Sequence, residues 1–479
     1  MIGSIIHLYL PNYPATLVYM LQASEYDEKS YLKWIWRTKD FSTVSQRRSL
    51  EKTGPAKMLL LFLGFGILTQ IAIGLILIYL GLFSGFVGGV GFGLAIILSY
   101  PFIWAHLLVV PLVLGRWLIS KPAQKRQVTL SEKVFAEHPA KKIAIAGSYG
   151  KTTMKELLNT VLSEGLKVAA TPANKNVSIS HAYFSKKLDG DEDVLIIEYG
   201  EGAPGDVARF AKLTHPTHAI ITGLAPAHLD KYKTFKAAGQ DIFSVAKYLN
   251  NKNVYVNTDS ADTKPFIKSE FHEFSTRAAL GWKVSDAETD LTGTRFSLEK
   301  GKRSIPLESK LVGNHQVGFL AFVAAFALEL GLNEKQVQVG ISKTEPFEHR
   351  MEPYQLAGAW VVDDTYNGNL EGIRAGTQLL ANLSAQRKIY VTPGLVDQGE
   401  ETERVHLEVG KLIADAKPDL VVLMKNSVTD FIKQGLDKAN FEGKLQIENN
   451  PLEFYTNLTH FVASGDLVVM QNDWTDNYA

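Results

Sequence analysis

The chain has 479 residues, too many for one ordinary hydrophobic core, so about three structural units are expected. Its 50 lysines and arginines balance 50 aspartates and glutamates, which gives no global electrostatic case for nucleic acid as a partner. With no cysteine, disulfides, thiolate metal sites and cysteine nucleophiles are excluded, and a reducing compartment fits.

Residues 1–57 begin apolar (Ile5, Ile6, Leu8, Tyr9, Leu10) and turn at Pro11 and Pro14. That start is too interrupted for a signal-peptide core and too short for a membrane span. Tyr31, Trp34, Trp36 and Phe41 then lie among Lys33, Arg37, Lys39, Arg47 and Arg48. Aromatic and basic side chains together suit a headgroup-level surface, so 1–57 reads as a cytoplasmic or interfacial segment. The plainer alternative is a small helical segment with a solvated basic face.

From residue 58 to 115 there is no Asp, Glu, Lys or Arg. One span needs only about 20 residues, so this run predicts two: Met58–Leu80, and Phe86–Leu114 bent near Pro101 and Pro111. The turn between them, 81–85, carries no charge. Lys or Arg occurs at 39, 47, 48, 52 and 57 before the run and at 116, 121, 125, 126 and 133 after it. The positive-inside rule then places both ends in the cytoplasm. The expectation is a two-span protein of the cytoplasmic membrane, in contact with lipid. The glycine cluster Gly88–Gly93 sits inside the apolar run with no polar helix start after it, so close helix packing explains it better than a nucleotide loop. Residues 116–139, polar and carrying Pro122 and Pro139, read as a linker.

The next stretch organises the rest. Ile143–Ala146 is an apolar run that reads as a buried strand and breaks at Gly147-Ser148-Tyr149-Gly150. Lys151-Thr152-Thr153 opens a helix whose Met154, Leu157, Leu158, Val161 and Leu162 recur at the spacing of one buried face. Strand, glycine loop and helix N-terminus make a phosphate cradle: backbone N–H groups and the helix dipole face the anion, Lys151 adds charge, and the Thr152 hydroxyl suits Mg²⁺. Ile145 stands where the full Walker pattern has glycine. Short apolar runs follow at Val168–Thr171, Val194–Glu198, Ala219–Thr222 and Val254–Asn257, with helical segments at Val207–Leu213 and Ile242–Leu249. This predicts an open α/β sheet. Glu198 falls at the C-terminal tip of a strand, where it faces the phosphates and is placed to hold Mg²⁺. His315–Leu330 is a nearly all-apolar helix and therefore buried.

A second alternating series begins near Arg350. Strands are expected at Trp360–Asp363, Lys388–Val391, Leu420–Met424, Lys444–Ile447 and Leu467–Met470. Helices are expected at Leu370–Leu383, His406–Ala416, Val428–Ala439 and Pro451–Ala463. It predicts a smaller doubly wound domain without a phosphate loop.

Eight motifs now stand in order: GSYGKTT, TPANKN (171–176), IIEYGEGAPGD (196–206), AHLD (227–230), VNTD (256–259), GNHQ (313–316), HRME (349–352) and DDTYN (363–367). Together they resemble the Mur ligase family, in particular the branch that adds D-alanyl-D-alanine to a muramoyl tripeptide, over about residues 140–479. The fold class implied is α/β: a Mur-ligase-like P-loop central domain (140–345) and a Rossmann-like C-terminal domain (346–479), preceded by a two-helix transmembrane hairpin (58–115). The resemblance implies an ATP- and Mg²⁺-dependent amide ligase working through an acyl phosphate. Its partners would be a muropeptide-type acceptor and a dipeptide or amino-acid amine. Gly147 to Thr153 and Asn257 would bind nucleotide, with His315 and Gln316 on the adenine side. Arg350 and Asp364 would close over it from the C-terminal domain. Asn174 and Asn176 would lie near the reacting carboxylate, and Thr152, Glu198 and His228 would hold metal.

The departures from the family pattern are specific. Gly239 stands where the family carries a carbamylated lysine that holds a second Mg²⁺, with Lys236 or Asp241 as substitutes. Gln316 replaces asparagine, Asn369-Leu370 replaces Asn-Pro, and the ending GlnAsnAspTrpThrAspAsnTyr replaces KGSR. The membrane hairpin occupies the place of the domain that cradles the uridine nucleotide, which predicts a lipid-linked acceptor. A ligase of the same fold with another carboxylate substrate, and a non-catalytic ATP-binding membrane scaffold, are the alternatives.

Overall fold

The computed structural model describes residues 7–24, 26–37, 50–173, 175–225, 229–232, 234–366, 368–396 and 398–472. The chain divides into two compact units, residues 1–126 and 127–479.

In the first unit the helix Gly54–Ser84 starts at a Thr53 cap, whose hydroxyl accepts the Ala56 N–H, and stops at left-handed Gly85. It exceeds the expected Met58–Leu80 at both ends and absorbs most of the expected turn. Val87–Leu98 follows and packs along it. A Cβ on Gly74 would lie 2.9 Å from the Gly93 carbonyl, and one on Gly81 2.7 Å from the Val90 nitrogen. The glycine cluster thus serves backbone approach between helices. The rest of the second expected span is not one helix. It breaks at Ser99 and Leu108 into Tyr100–Leu107 and Val109–Gly115, with Pro101 unable to donate to the preceding turn.

Polar groups satisfy the breaks. Gln70 Nε2 donates to Ile96 O at 2.7 Å, and Trp104 Nε1 donates to Gln70 Oε1 at 2.7 Å. Hydroxyls of Tyr9, Tyr13 and Tyr31 donate to the carbonyls of Leu98, Pro101 and Ala105. The helices Tyr13–Ala23 and Glu28–Arg37 therefore pack on the hairpin, sharing a core with Ala56, Leu59, Leu63, Ala105 and Leu108. Phe41, Lys39, Arg47 and Arg48 lie outside the described residues. Residues 121–137, where a linker is expected, are helical.

The second unit holds two sheets. The first contains β1 (Lys141–Ala146), β2 (Val168–Ala170), β3 (Val194–Glu198), β4 (His218–Ile221), β5 (Val254–Asn257), β6 (His272–Phe274), β7 (Ala278–Ala279), β8 (Trp282–Asp290), β9 (Gly293–Lys300) and β10 (Arg303–Ser309). Its order is β10-β9-β8-β7-β6-β5-β4-β1-β3-β2. β2 through β6 with β1 are parallel, and β7 to β10 extend the edge antiparallel. That antiparallel extension has no counterpart in the sequence reading. One face is covered by the helices Lys151–Leu162, His315–Glu329 and Glu334–Ser342, the other by Asp206–Thr214 and Ser244–Tyr248. The His315–Glu329 helix is buried from Gln316 to Ala327, as its unbroken apolar run requires.

The second sheet contains β11 (Glu352–Leu356), β12 (Ala359–Asp364), β13 (Arg387–Thr392), β14 (Leu420–Met424), β15 (Lys444–Glu448) and β16 (Asp466–Gln471), in the order β11-β12-β16-β13-β14-β15. All its pairings are parallel except β11–β12.

Candidate active site

The glycine loop leaves β1 at its C-terminal end. Gly147 has φ +145° and Gly150 φ +72°, and a side chain at either would collide, the first with the Thr222 hydroxyl at 2.2 Å and the second with the Phe319 ring at 2.6 Å. Both positions need glycine. The Ser148 N–H donates to Gly223 O at 2.9 Å, and the Thr222 hydroxyl donates to the Tyr149 carbonyl, so the end of β4 braces the loop. Tyr149 points inward rather than at a ligand. Its ring covers Gly223, and burial pushes its pKa up to about 12. Thr153 is buried.

Four charged side chains converge beneath the loop. Lys151 Nζ lies 2.6 Å from Gly147 O, 2.9 Å from Glu201 Oε1 and 2.7 Å from Glu201 Oε2. The Thr152 hydroxyl donates to Glu198 Oε1 at 3.2 Å, and Asn176 Nδ2 donates to the same oxygen at 3.2 Å. Glu198 Oε2 is buried without a hydrogen bond and faces Lys155 Nζ at 3.4 Å. Lys155, fully buried, also donates to the Ala173 carbonyl and pairs with Glu156 at 3.1 Å.

Glu201 and Lys155 escaped the sequence reading. Lys155 left a signal: it sits three and seven residues before Leu158 and Leu162, on the buried stripe of an otherwise regular helix. A lysine there requires a buried partner. Glu201 lies inside the IIEYGEGAPGD stretch (196–206), but as a loop residue it has no periodicity that sets it apart there.

A buried carboxylate oxygen with no hydrogen bond, next to a threonine hydroxyl, is the hard-oxygen donor set that Mg²⁺ prefers. The residues therefore fit the metal. Among the described residues no cluster of three or more His, Asp or Glu side chains forms a metal site. Asn174 and His228 lie outside the described residues.

The remaining expected positions divide. Asn257 is committed at both ends, its Nδ2 to Thr222 O at 2.9 Å and its Oδ1 to the Asp259 N–H at 3.1 Å. It joins the ends of β4 and β5 rather than offering a free amide. Gln316 Nε2 lies 2.9 Å from His315 Nε2, and Gln316 Oε1 is buried without a donor, an acceptor suited to an amino group such as adenine's. The Arg350 guanidinium stacks over Tyr366 at 4.4 Å. Asp364 accepts Gln471 Nε2 at 2.7 Å and the Met351 N–H at 3.2 Å, and burial raises its pKa to about 7. Among the described residues no hydrogen bond or ion pair joins Arg350 or Asp364 to the glycine loop.

At Gly239 a Cβ would meet the Phe266 ring at 2.3 Å, so this helix position is packed shut. Asp241 accepts the Gly205 N–H at 2.9 Å and the Tyr232 hydroxyl at 2.8 Å, and burial raises its pKa. Both its oxygens have structural partners, which leaves it poorly placed as a metal substitute.

A glycine loop and helix N-terminus over a Glu198-tipped parallel sheet, in one compact unit with a second doubly wound sheet, form a cradle suited to nucleotide phosphate. Residues 145–327 match the family model described as Mur ligase middle domain. Over those residues, less than half of its length, the chain is similar to that family, whose members use ATP and Mg²⁺.

Its similarity to curated proteins and solved structures runs to MurF. The UDP-N-acetylmuramoyl-tripeptide–D-alanyl-D-alanine ligase of Escherichia coli is 27% identical over 312 residues, 64% of this chain and 69% of that protein. The Borreliella burgdorferi ligase of the same name is 26% identical over 303 residues, 61% of this chain and 64% of that protein. The chain thus spans about two thirds of the length of these curated relatives. Two solved structures share the fold: MurF from Acinetobacter baumannii, at 21% identity and TM-score 0.63 over 73% of this chain and 77% of that one, and MurF from Thermotoga maritima in complex with ADP, at 20% identity and TM-score 0.64 over 73% and 80%.

Proposed function

We propose that the chain is a MurF-type amide ligase that joins D-alanyl-D-alanine, or a similar amine, to the peptide carboxylate of a peptidoglycan precursor. The observation that carries this reading is the site itself: Lys151 and Thr152 open the loop helix, with Glu198 on the neighbouring strand 3.2 Å from the Thr152 hydroxyl.

ATP supplies the phosphoryl group and Mg²⁺ the charge neutralisation. An oxygen of the acceptor carboxylate bonds to the γ-phosphorus as ADP leaves. The amine nitrogen then bonds to the acyl carbon, and inorganic phosphate departs. Phosphoryl transfer is mainly a matter of positioning and charge, so the residues' work is to hold and orient. Lys151 would hold phosphate oxygens, Thr152 and Glu198 would hold Mg²⁺, and Asn176 orients Glu198; the resemblance adds His228, outside the described residues, to the metal ligands. Gln316 and His315 would serve the adenine side, and Arg350 and Asp364 would bring the C-terminal domain to the nucleotide; the resemblance assigns Asn174, outside the described residues, to the acceptor carboxylate.

The reading extends to place. Gly54–Ser84, and the helical run Tyr100–Glu137 taken across the turn residue Leu108, are long and apolar enough to cross a membrane. Phe65, Leu68, Tyr79 and Phe83 project from the first of them, exposed. Basic residues flank the run on both sides, so the catalytic domains would face the cytoplasm. The apolar hairpin supports an acceptor that is itself linked to lipid.

The test is phosphate release from ATP with D-alanyl-D-alanine and either UDP-linked or lipid-linked muramoyl tripeptide. Release with the lipid-linked acceptor, lost in Lys151→Ala, supports the whole reading, and equal use of both acceptors removes the lipid-linked part. The packing of Phe266 over Gly239 favours a second reading, a ligase of this fold with another carboxylate substrate. Nucleotide binding without phosphate release on any muropeptide would point to that reading or to a scaffold.

A further inference from the structure

Glu201 lies three residues past Glu198, in the loop after β3, and the reaction outlined above gives it no task. We infer that Glu201 competes with nucleotide phosphate for Lys151: it pairs with the Lys151 ammonium and is exchanged for phosphate oxygens when nucleotide binds. The inference rests on reading the glycine loop as the ATP site.

An ammonium group has three donors. On Lys151 all three have acceptors within reach, the two Glu201 oxygens at 2.9 and 2.7 Å and the Gly147 carbonyl at 2.6 Å. Only 11% of the Lys151 side chain and 8% of that of Glu201 is exposed, so solvent screens the pair weakly. The lysine is therefore folded back onto its own loop. A phosphate entering the cradle must take over at least one of these donors, and Glu201 is the partner that competes as an anion. Glu198 differs, since Thr152, Asn176 and Lys155 hold it independently of Lys151. Among the described residues Lys151 is the one cation paired with Glu201.

Removing the Glu201 charge acts twice in the same direction. No ion pair has to break before phosphate binds, and the polyanion meets one negative charge fewer. Glu201→Gln keeps the shape and should bind ADP more tightly.

The experiment is calorimetric titration of the full-length chain with ADP, with and without Mg²⁺. Glu201→Gln is expected to gain about tenfold in affinity without Mg²⁺, equivalent to ~1.4 kcal/mol. Glu201→Asp, which keeps the charge but shortens its reach, should gain less. In a Lys151→Ala background Glu201→Gln should add less than half of that gain, because the larger share of the effect runs through the lysine. Unchanged or weaker Mg²⁺-free binding by Glu201→Gln overturns the inference, as does an undiminished gain in the Lys151→Ala background. A loss confined to the Mg²⁺ titration, with no gain without it, overturns it in favour of Glu201 as a metal ligand. If the Gln variant does not fold, an Asp variant that binds ADP no better than the native chain overturns it too. Failure of the native chain to bind ADP at all is a separate result, which removes the ATP-site reading itself.

Discussion

The two sheets of the second unit share an architecture and differ in what stands at the ends of their strands. Both are largely parallel and layered with helices, and such sheets place ligands beyond the C-terminal strand ends. At the ends of β1 and β3 the first sheet carries charges in pairs, Lys151 with Glu201 and Lys155 with Glu198. At the ends of β12 and β16 the second carries a polar network: Gln471 donates to Asp364 and Gly372 O, each at 2.7 Å, and accepts the buried Tyr390 hydroxyl at 2.7 Å. Charge pairs can be redistributed when a polyanion and a cation arrive. A network in which each group already has its partner resists rearrangement and suits a rigid body that moves as a whole. The contrast fits the proposed reading, in which the first sheet carries the chemistry and the second the positioning.

The sharpest break would come at Lys151. Lys151→Ala should lower ATP-dependent phosphate release by about a thousandfold, the scale of losing a main electrostatic contact in the transition state. Its thermal midpoint should fall as well, because Glu201, only 8% exposed, is left without its cation. Lys155→Met tests the other pair and should read out chiefly in stability. It leaves Glu198 as an uncompensated buried charge, a loss of about 3 kcal/mol by chemical denaturation. Adding Glu198→Gln should recover part of that loss, and the absence of any recovery would argue that Lys155 acts through Ala173 rather than Glu198. In the second sheet Gln471→Leu should cost about 2 kcal/mol, since it strands the buried Tyr390 hydroxyl and takes the Gln471 donor from Asp364. Native nucleotide affinity in that variant would support the division of labour between the sheets.

How far the sequence reveals this depends on periodicity. β1, the glycine loop and the helix with Met154, Leu157, Leu158, Val161 and Leu162 were legible, because a buried strand, a turn and an amphipathic helix each leave a distinct spacing. The antiparallel strands β7 to β10 were not. Their pairing is fixed by contacts across the edge of the sheet, and β8 carries a bulge between Ser285 and Glu288 that interrupts its alternation. The second apolar run read as one bent helix because composition reports apolarity and not continuity. Its breaks at Ser99 and Leu108 depend on Gln70 and on tyrosines 74 to 89 residues away in sequence. At the site, Lys151, Thr152 and Glu198 were legible from motif and strand end. Glu201 was not, since its role exists only where Lys151 folds back to meet it.

The smallest expected effect concerns pH and again sets the sheets apart. In the second sheet's domain His406 is fully buried, with Nδ1–H donating to Thr402 O at 2.6 Å and Nε2 accepting the Leu395 N–H at 2.9 Å. Burial holds its pKa below the ordinary 6.5. A proton on Nε2 would set one N–H against another, so the folded state binds it less readily than the unfolded state does. By linkage the stabilising contribution is complete above the unfolded value near 6.5 and is lost as pH falls below it toward the lower folded value. In the first sheet's domain, burial pushes His181 and His218 down to about 4, and both act in the same direction. The native chain should therefore melt at progressively lower temperature between pH 7 and pH 5. His406→Gln should melt lower at pH 7 and show a shallower decline, with the difference confined to the second domain's transition. An identical slope in the variant would assign the acid sensitivity to the first sheet's domain and end the claim that the positioning domain contributes to it.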